Sequence, residues 1–335
     1  MKLSVKQAVD SERVTAKTAV RGPLKPGSHT LRPWRYRNLP TLFLATRPAF
    51  LAVTLTAVLL GLASAYANGV VIALLPAALT LLFALVAHAG ANVINDYHDR
   101  DNDAENTERL FPYTGGSRFI QNGALTPKTT AQLGYGLLLA VIPAGLWLAA
   151  HSAPGLMFIG LAGLLIGWGY SAPPLALASR GLGELAIVAG WLLVVVGSDY
   201  VQRRGFALLP LVAGSGYALL VANILYINQF PDATADAAAG KRTLIVRLGR
   251  RRARTGFIAI LLLSALCVPL GVIFAVLPAP TFFAMLAFPL SLAAARGLWH
   301  YAQTPARLVP AIRCSLAAAQ LYGCLLIAAL IFSKH

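Results

Sequence analysis

The chain has 335 residues (35.4 kDa), is 57% hydrophobic and only 12% charged, and carries a formal net charge of +16 with a mean hydropathy of +0.67. An average soluble domain is about 25% charged, so an ordinary soluble fold is excluded. In so apolar a chain the Lys and Arg excess marks the loops of a membrane protein, and no nucleic-acid partner is expected.

In chain order, the first 46 residues hold nine Lys and Arg against Asp10 and Glu12 and contain no signal-peptide h-region. Residues 1–43 read as a basic, mobile cytoplasmic tail, with a transit peptide as the weaker reading; residues 44–335 read as one transmembrane domain. No Asp, Glu, Lys or Arg occurs in Pro48–Asn95, Thr129–Ser179, Gly205–Pro231, Thr255–Ala295 or Cys314–Ser333. A helix needs about 20 apolar residues to cross the hydrocarbon core. Lipid admits only helices and closed barrels, and these runs lack the alternation of barrel strands.

Dividing the runs at breakers such as Tyr66-Ala67-Asn68-Gly69 and Pro278-Ala279-Pro280 predicts nine spans: residues 44–66, 71–96, 129–150, 154–171, 182–201, 206–229, 255–276, 280–297 and 313–332. The fold class is therefore all-α, a polytopic protein with nine transmembrane helices and its termini on opposite faces. All but Arg203, Arg204 and Lys334 of the 28 Lys and Arg then fall on the N-terminal side, which predicts a cytoplasmic N-terminus in a bacterial inner membrane. Arg203-Arg204 is an exception with no reason visible in the sequence. Cys267, Cys314 and Cys324 stand singly within apolar spans and imply neither disulfide nor metal.

The acids are concentrated. Of 12 Asp and Glu, Asp96, Asp99, Asp101, Asp103, Glu105 and Glu108 follow the second span, and Asp232 and Asp236 follow the sixth. Asn95, Asp99 and Asp103 stand at i, i+4, i+8, and Asn228, Asp232 and Asp236 repeat that spacing. Four residues advance a helix about 40° past a full turn, so each triplet shares one face. Two such helix ends facing each other offer hard oxygen donors suited to Mg²⁺, which takes one or two carboxylates per ion with waters and substrate phosphate oxygens. Pro231 leaves two arrangements open. Either the second triplet stays on one helix, or the missing N–H breaks it and Asp232 and Asp236 begin a short new helix.

These stretches resemble the UbiA-type intramembrane prenyltransferases. The resemblance is carried by Asn92-Val-Ile-Asn95-Asp96-Tyr97-His98-Asp99-Arg-Asp-Asn-Asp103, by Asn228-Gln-Phe-Pro-Asp232-Ala-Thr-Ala-Asp236, and by Gly240-Lys241-Arg242-Thr243-Leu244. Arg47-Pro48, Gly115-Gly116-Ser117-Arg118, Tyr170-Ser-Ala-Pro-Pro174 and Arg180-Gly-Leu-Gly-Glu184 extend it from Arg47 to the C-terminus. The Lys241 and Arg180 runs look most like the 1,4-dihydroxy-2-naphthoate polyprenyltransferase branch. Two departures concern the acceptor: Gln229-Phe230-Pro231 inside the second motif, and Leu-Ala-Leu-Ala-Ser before Arg180 where basic residues often stand.

The resemblance implies helices around a central cavity, Mg²⁺ as cofactor, a polyprenyl diphosphate donor and an aromatic acceptor. It implies Asp99, Asp103, Asp232 and Asp236 as metal ligands with Asp96 as an extra one, Asn95 and Asn228 as neutral donors, and Lys241, Arg242 and Arg118 on the diphosphate. Tyr97 and Tyr170 would face the allylic cation, and Arg47 would stand near the acceptor. Arg250-Arg251-Arg252 and Arg254 read instead as anionic-lipid contacts, and His88 as a satisfied bundle histidine. Glu184 and Asp199 are left without a role. The alternatives are a prenyltransferase acting on 4-hydroxybenzoate, a tetrapyrrole or a glycerol phosphate lipid, and an ion-coupled transporter. The transporter is disfavoured because the acids lie at one face and not at the midplane.

Overall fold

The computed structural model describes residues 39–333, so the predicted tail lies outside it except for its last residues, which enter helix α1 (Leu39–Ala45). All regular structure among the described residues is helical. The charge-free runs become α2 (Pro48–Ala67), α3 (Leu74–His98), α5 (Pro127–His151), α6 (Gly155–Gly169), α7 (Gly183–Arg203), α8 (Leu208–Ala238), α9 (Leu244–Ile273), α10 (Phe288–Tyr301) and α11 (Val309–Phe332). A short α4 (Arg100–Glu105) follows α3, and a 3₁₀ stretch, Ala279–Ala287, leads into α10. Eight of these elements are long and apolar enough to cross a membrane, and α6, at 15 residues, is the shorter ninth apolar helix. The protein is an integral, multi-pass membrane protein.

Helix α8 forms the hub, packing on α2, α7, α9 and α11. Its largest side chains, Tyr217, Tyr226 and Phe230, are fully buried. A buried phenol must find an acceptor: Tyr217 donates to Val53 O (2.7 Å) and Tyr226 to Ala253 O (2.7 Å). Helices α2 and α7 approach so closely that a Cβ on Gly61 would overlap Val195 O.

One open alternative is settled and one expectation is corrected. Pro231 does not break its helix: α8 runs unbroken to Ala238, carrying the whole second triplet. The bond lost at Pro231 is offset by burial of Phe230 and Pro231 together. The seventh span also begins earlier than residue 255, at Leu244. Thr243 caps it, its side chain accepting from Val246 N (3.3 Å), and it kinks at Gly249 (φ 72°, ψ 146°), a conformation open essentially to glycine alone.

The Arg203 exception has a structural reason. Its guanidinium donates twice to Asp199, from Nε (2.7 Å) and Nη2 (2.8 Å), and Ser64 Oγ on α2 donates to the same carboxylate (3.0 Å). Asp199 and Arg203 therefore neutralise each other at the end of the bundle away from the acidic motifs. Arg204 is exposed and closes α7 in the left-handed region (φ 64°).

Candidate active site

Four segments build one mouth. The C-terminal end of α3 runs into α4 through Asp99 (φ −92°, ψ 3°), yet the helical hydrogen bonds continue across the bend: Asp99 N donates to Asn95 O (2.9 Å) and Asp103 N to Asp99 O (2.8 Å). Asn95, Asp99 and Asp103 thus keep a common face. The C-terminal end of α8 brings Asn228, Asp232 and Asp236 opposite them. Asn102 Nδ2 donates to Asp236 Oδ1 (2.9 Å), Asn106 Nδ2 to Asp232 Oδ1 (2.6 Å), and the Lys241 ammonium lies 2.9 Å from Asp99 Oδ1 and 3.5 Å from Asp236 Oδ1. The two motifs meet.

The remaining segments close the mouth. Gly115 (φ 72°) and Gly116 (φ 70°) turn the α4–α5 loop back, and a Cβ on Gly116 would overlap Asp103 Oδ2, so only glycine lets the backbone lie against that carboxylate. Glu108 holds the loop from outside through Arg250, and Thr234 Oγ1 donates to it (2.6 Å). Pro48 at the start of α2 excludes the right-handed region for the residue before it. Arg47 takes the left-handed one (φ 55°), and its guanidinium donates to Asp96 and to Asn95 Oδ1 (3.3 Å).

The electrostatics follow from this crowding. Burial, then the neighbouring Asp99 carboxylate, pushes Asp103 up to about 7, against the opposing pull of Arg47. Burial would lower Lys241, but Asp99 and Asp236 more than offset it and raise the ammonium above its ordinary value. For Arg47 the burial effect is likewise overcome, chiefly by Asp96. The hydrogen bond from Arg250 holds Glu108 below its usual range.

The mouth opens into a cavity of about 910 Å³, walled by α3, α5, α6, α7 and α8 and extending to Pro154 and Val201 at the far end. Of the predicted site residues, Arg47, Asn95, Asp99, Asp103, Tyr170, Asn228, Asp232, Asp236 and Lys241 line it. Four do not. Tyr97 stands two residues from Asn95, about 200° round the helix, where its ring meets His98 edge-on and lies under Arg100. Arg118 donates to the backbone O of Asp103 and pins α4. Arg242 is exposed, and among the described residues only its backbone is engaged, with Ser179 and Arg247. Asp96 is spent on Arg47 and on Ser117 N (3.1 Å).

Asn102, Asn106 and Ser171 were not singled out from the sequence, and Gln229 was noted only as a departure within the second motif. Asn102 and Asn106 repeat the i, i+4 spacing on the neighbouring face of the same run, the one sign that could have found them. Ser171 Oγ accepts from Asn95 (2.9 Å), and Gln229 Nε2 donates to the buried Glu184 (2.7 Å), giving that residue a partner.

Among the described residues, no group of three or more His, Cys, Asp and Glu closes on a common point; Lys241, Asn102 and Asn106 hold the carboxylates apart. Mg²⁺ needs only one or two carboxylates per ion and completes its shell with waters and substrate oxygens. The amide oxygens of Asn102 and Asn228, both lining the cavity, are buried without a hydrogen-bond partner among the described residues. Unpaired buried oxygens beside four carboxylates fit a hard cation.

The chain has recognisable relatives. The model of the UbiA prenyltransferase family matches residues 54–309. The 1,4-dihydroxy-2-naphthoate octaprenyltransferase of Haemophilus influenzae is 28% identical over 239 residues, covering 66% of this chain and 73% of that protein. The Escherichia coli enzyme of the same description is 28% identical over 258 residues, covering 75% and 82%. A solved UbiA homolog from Aeropyrum pernix K1 superposes with a TM-score of 0.66 at 17% identity, over 82% of this chain and 97% of its own. An Archaeoglobus fulgidus homolog bound to DMAPP and Mg²⁺ superposes with a TM-score of 0.58 at 16% identity, over 86% and 98%.

Proposed function

The chain belongs to the UbiA prenyltransferase family, and from that premise we propose that it transfers a polyprenyl group from its diphosphate to an aromatic acceptor of the 1,4-dihydroxy-2-naphthoate class. The observation that carries the reading is the meeting of two acidic motifs, 133 residues apart in sequence, at the mouth of one long apolar cavity. The octaprenyltransferase relatives support the acceptor class, and the fold neighbour bound to DMAPP and Mg²⁺ supports the donor and the cation.

In this reading Asp99, Asp103, Asp232 and Asp236 hold Mg²⁺, with the amide oxygens of Asn228 and Asn102 as neutral donors. Mg²⁺, when bound, supplies positive charge to the leaving diphosphate. Lys241 adds its ammonium to that diphosphate, and Asn95, oriented by Arg47 and Ser171, keeps Asp99 aimed inward. The bond between C1 of the prenyl chain and the diphosphate oxygen breaks, its electron pair leaving with the oxygen. The ring carbon then attacks C1, and the ring loses a proton or its carboxyl group. The neutral Tyr170 ring faces the allylic cation, an interaction of about 0.5–2 kcal/mol. The apolar walls exclude water and hold the chain. The basic loops share the face of the acidic mouth, so the site opens to the cytoplasm.

The test is an assay of purified protein with radiolabelled polyprenyl diphosphate, Mg²⁺ and a panel of acceptors: 1,4-dihydroxy-2-naphthoate, 4-hydroxybenzoate, a tetrapyrrole acid and a glycerol phosphate lipid. Prenylated naphthoate formed only with Mg²⁺ is expected. Product on another acceptor alone overturns the acceptor class, and no product on any overturns the reading.

A further inference from the structure

We propose that His88, held by Thr54, is a positioning residue that hydrogen-bonds a ring hydroxyl of the aromatic acceptor. The inference rests on the reading above and adds where the acceptor's polar group is held.

Helix α3 turns Asp99, Asn95, Ala91, His88, Ala84 and Thr80 towards the cavity. His88 lies seven residues from Asn95, about 10.5 Å deeper along the axis, where the walls are mostly apolar. Thr54 lies seven residues into α2 from Arg47, and Trp191 seven into α7 from Glu184, so one level beneath the mouth carries all three. Thr54 Oγ1 is 2.7 Å from His88 Nδ1, and the Trp191 indole meets the imidazole edge-on, with centroids 4.8 Å apart at 78°. The ring is thereby fixed on two sides.

Two adjacent ring nitrogens of the deep cavity, on His88 and Trp191, have no hydrogen-bond partner among the described residues. Thr80 donates to Pro76 O (2.8 Å) and Ser198 to Val194 O (2.7 Å), each satisfied by its own helix. Trp191 also lines the cavity, and its Nε1 is buried with no hydrogen-bond partner among the described residues, but an N–H can only donate. His88 Nε2 has no hydrogen-bond partner among the described residues. A structural histidine in a bundle would satisfy both nitrogens, because an unpaired polar atom in lipid-like surroundings costs free energy, and ionisable groups at that depth mark function by default.

The matching ligand group follows from the chemistry. Either neutral tautomer leaves Nε2 as one donor or one acceptor, and a hydroxyl pairs with both. A carboxylate would be stranded beside a neutral ring, whereas at the mouth it meets Arg47, whose Nε is itself buried without a partner. The acceptor so held carries a hydroxyl meta to its carboxylate, as position 4 of a 1,4-dihydroxy-2-naphthoate does, the carboxylate at the mouth and the hydroxyl inward, with hydrogen bonds of about 2.8 Å at each end bridging the two levels.

The experiment measures KM and kcat with 1,4-dihydroxy-2-naphthoate and its 4-O-methyl ether for wild type, His88→Leu, His88→Gln and Thr54→Val. Loss of the bond should raise the acceptor KM of His88→Leu about tenfold, abolish the preference for the free hydroxyl, and leave the donor KM and Mg²⁺ requirement unchanged. His88→Gln should recover part of the preference. Thr54→Val, which keeps side-chain volume, should weaken it and carries the test if His88→Leu does not fold. An acceptor KM within about twofold of wild type, or a hydroxyl preference unchanged in the variants, overturns the inference while the proposed reaction stands. A wild type inactive on every aromatic acceptor overturns both.

Discussion

At the scale of single residues, the mouth is a problem of charge. Four carboxylates face one mouth, and two devices hold them apart there: the Lys241 ammonium between Asp99 and Asp236, and the amides of Asn102 and Asn106 on Asp236 and Asp232. Asp103 has neither and lies against the Gly116 backbone, so burial and Asp99 push it up to about 7. The sign of the consequence is fixed. A metal ligand must be deprotonated, and below about pH 7 a proton competes for Asp103. The Mg²⁺ concentration giving half-maximal turnover should therefore rise as pH falls from 8 to 6, by up to about tenfold per unit for one competing proton. Titrating Mg²⁺ at fixed donor and acceptor across that range measures it, and a flat profile would remove Asp103 from the ligand set.

At the scale of elements, the helices carry their own stabilising pairs. Asp199 and Arg203, four residues apart on α7, are joined by Ser64 of α2, and Asp199 is only 1% exposed. Removing one partner strands a buried charge, which costs about 3–5 kcal/mol, whereas removing both leaves little to compensate. Arg203→Met alone should lower the thermal unfolding midpoint in detergent, and the double variant Asp199→Leu/Arg203→Met should recover most of the loss. Equal midpoints for the single variant and wild type would show that the pair holds nothing together. The kink at Gly249 serves another joint: it lets α9 start beside the mouth with Arg250 aimed at Glu108 and Phe230 O.

At the scale of the molecule, much was legible because lipid simplifies the code. Long runs without a charge admit one reading, so most spans emerged within a few residues of their helices; the sixth and seventh missed the charged turns by which α8 and α9 extend to the mouth. The i, i+4, i+8 triplets survived because helical geometry continues through Asp99 and Pro231. What sequence could not reveal depended on partners. Arg203 and Glu184 looked unplaced until Asp199 and Gln229 stood beside them. Tyr97 was assigned by its neighbours in the motif, although its own position round the helix turns it away from Asn95 and Asp99. Arg118 and Arg242 carry the right charge, but a loop fixes a side chain's direction only once its backbone turns are known.

The claim on which the whole account depends is that the two motifs act as one site. Binding of a labelled polyprenyl diphosphate in the presence of Mg²⁺ tests it directly, measured on folded, detergent-purified wild type, Asp99→Ala, Asp232→Ala and the double variant. A shared site predicts that each single substitution weakens binding by more than about tenfold and that the double variant falls well short of the product of the two losses. Donor binding by either single variant within about twofold of wild type would contradict it.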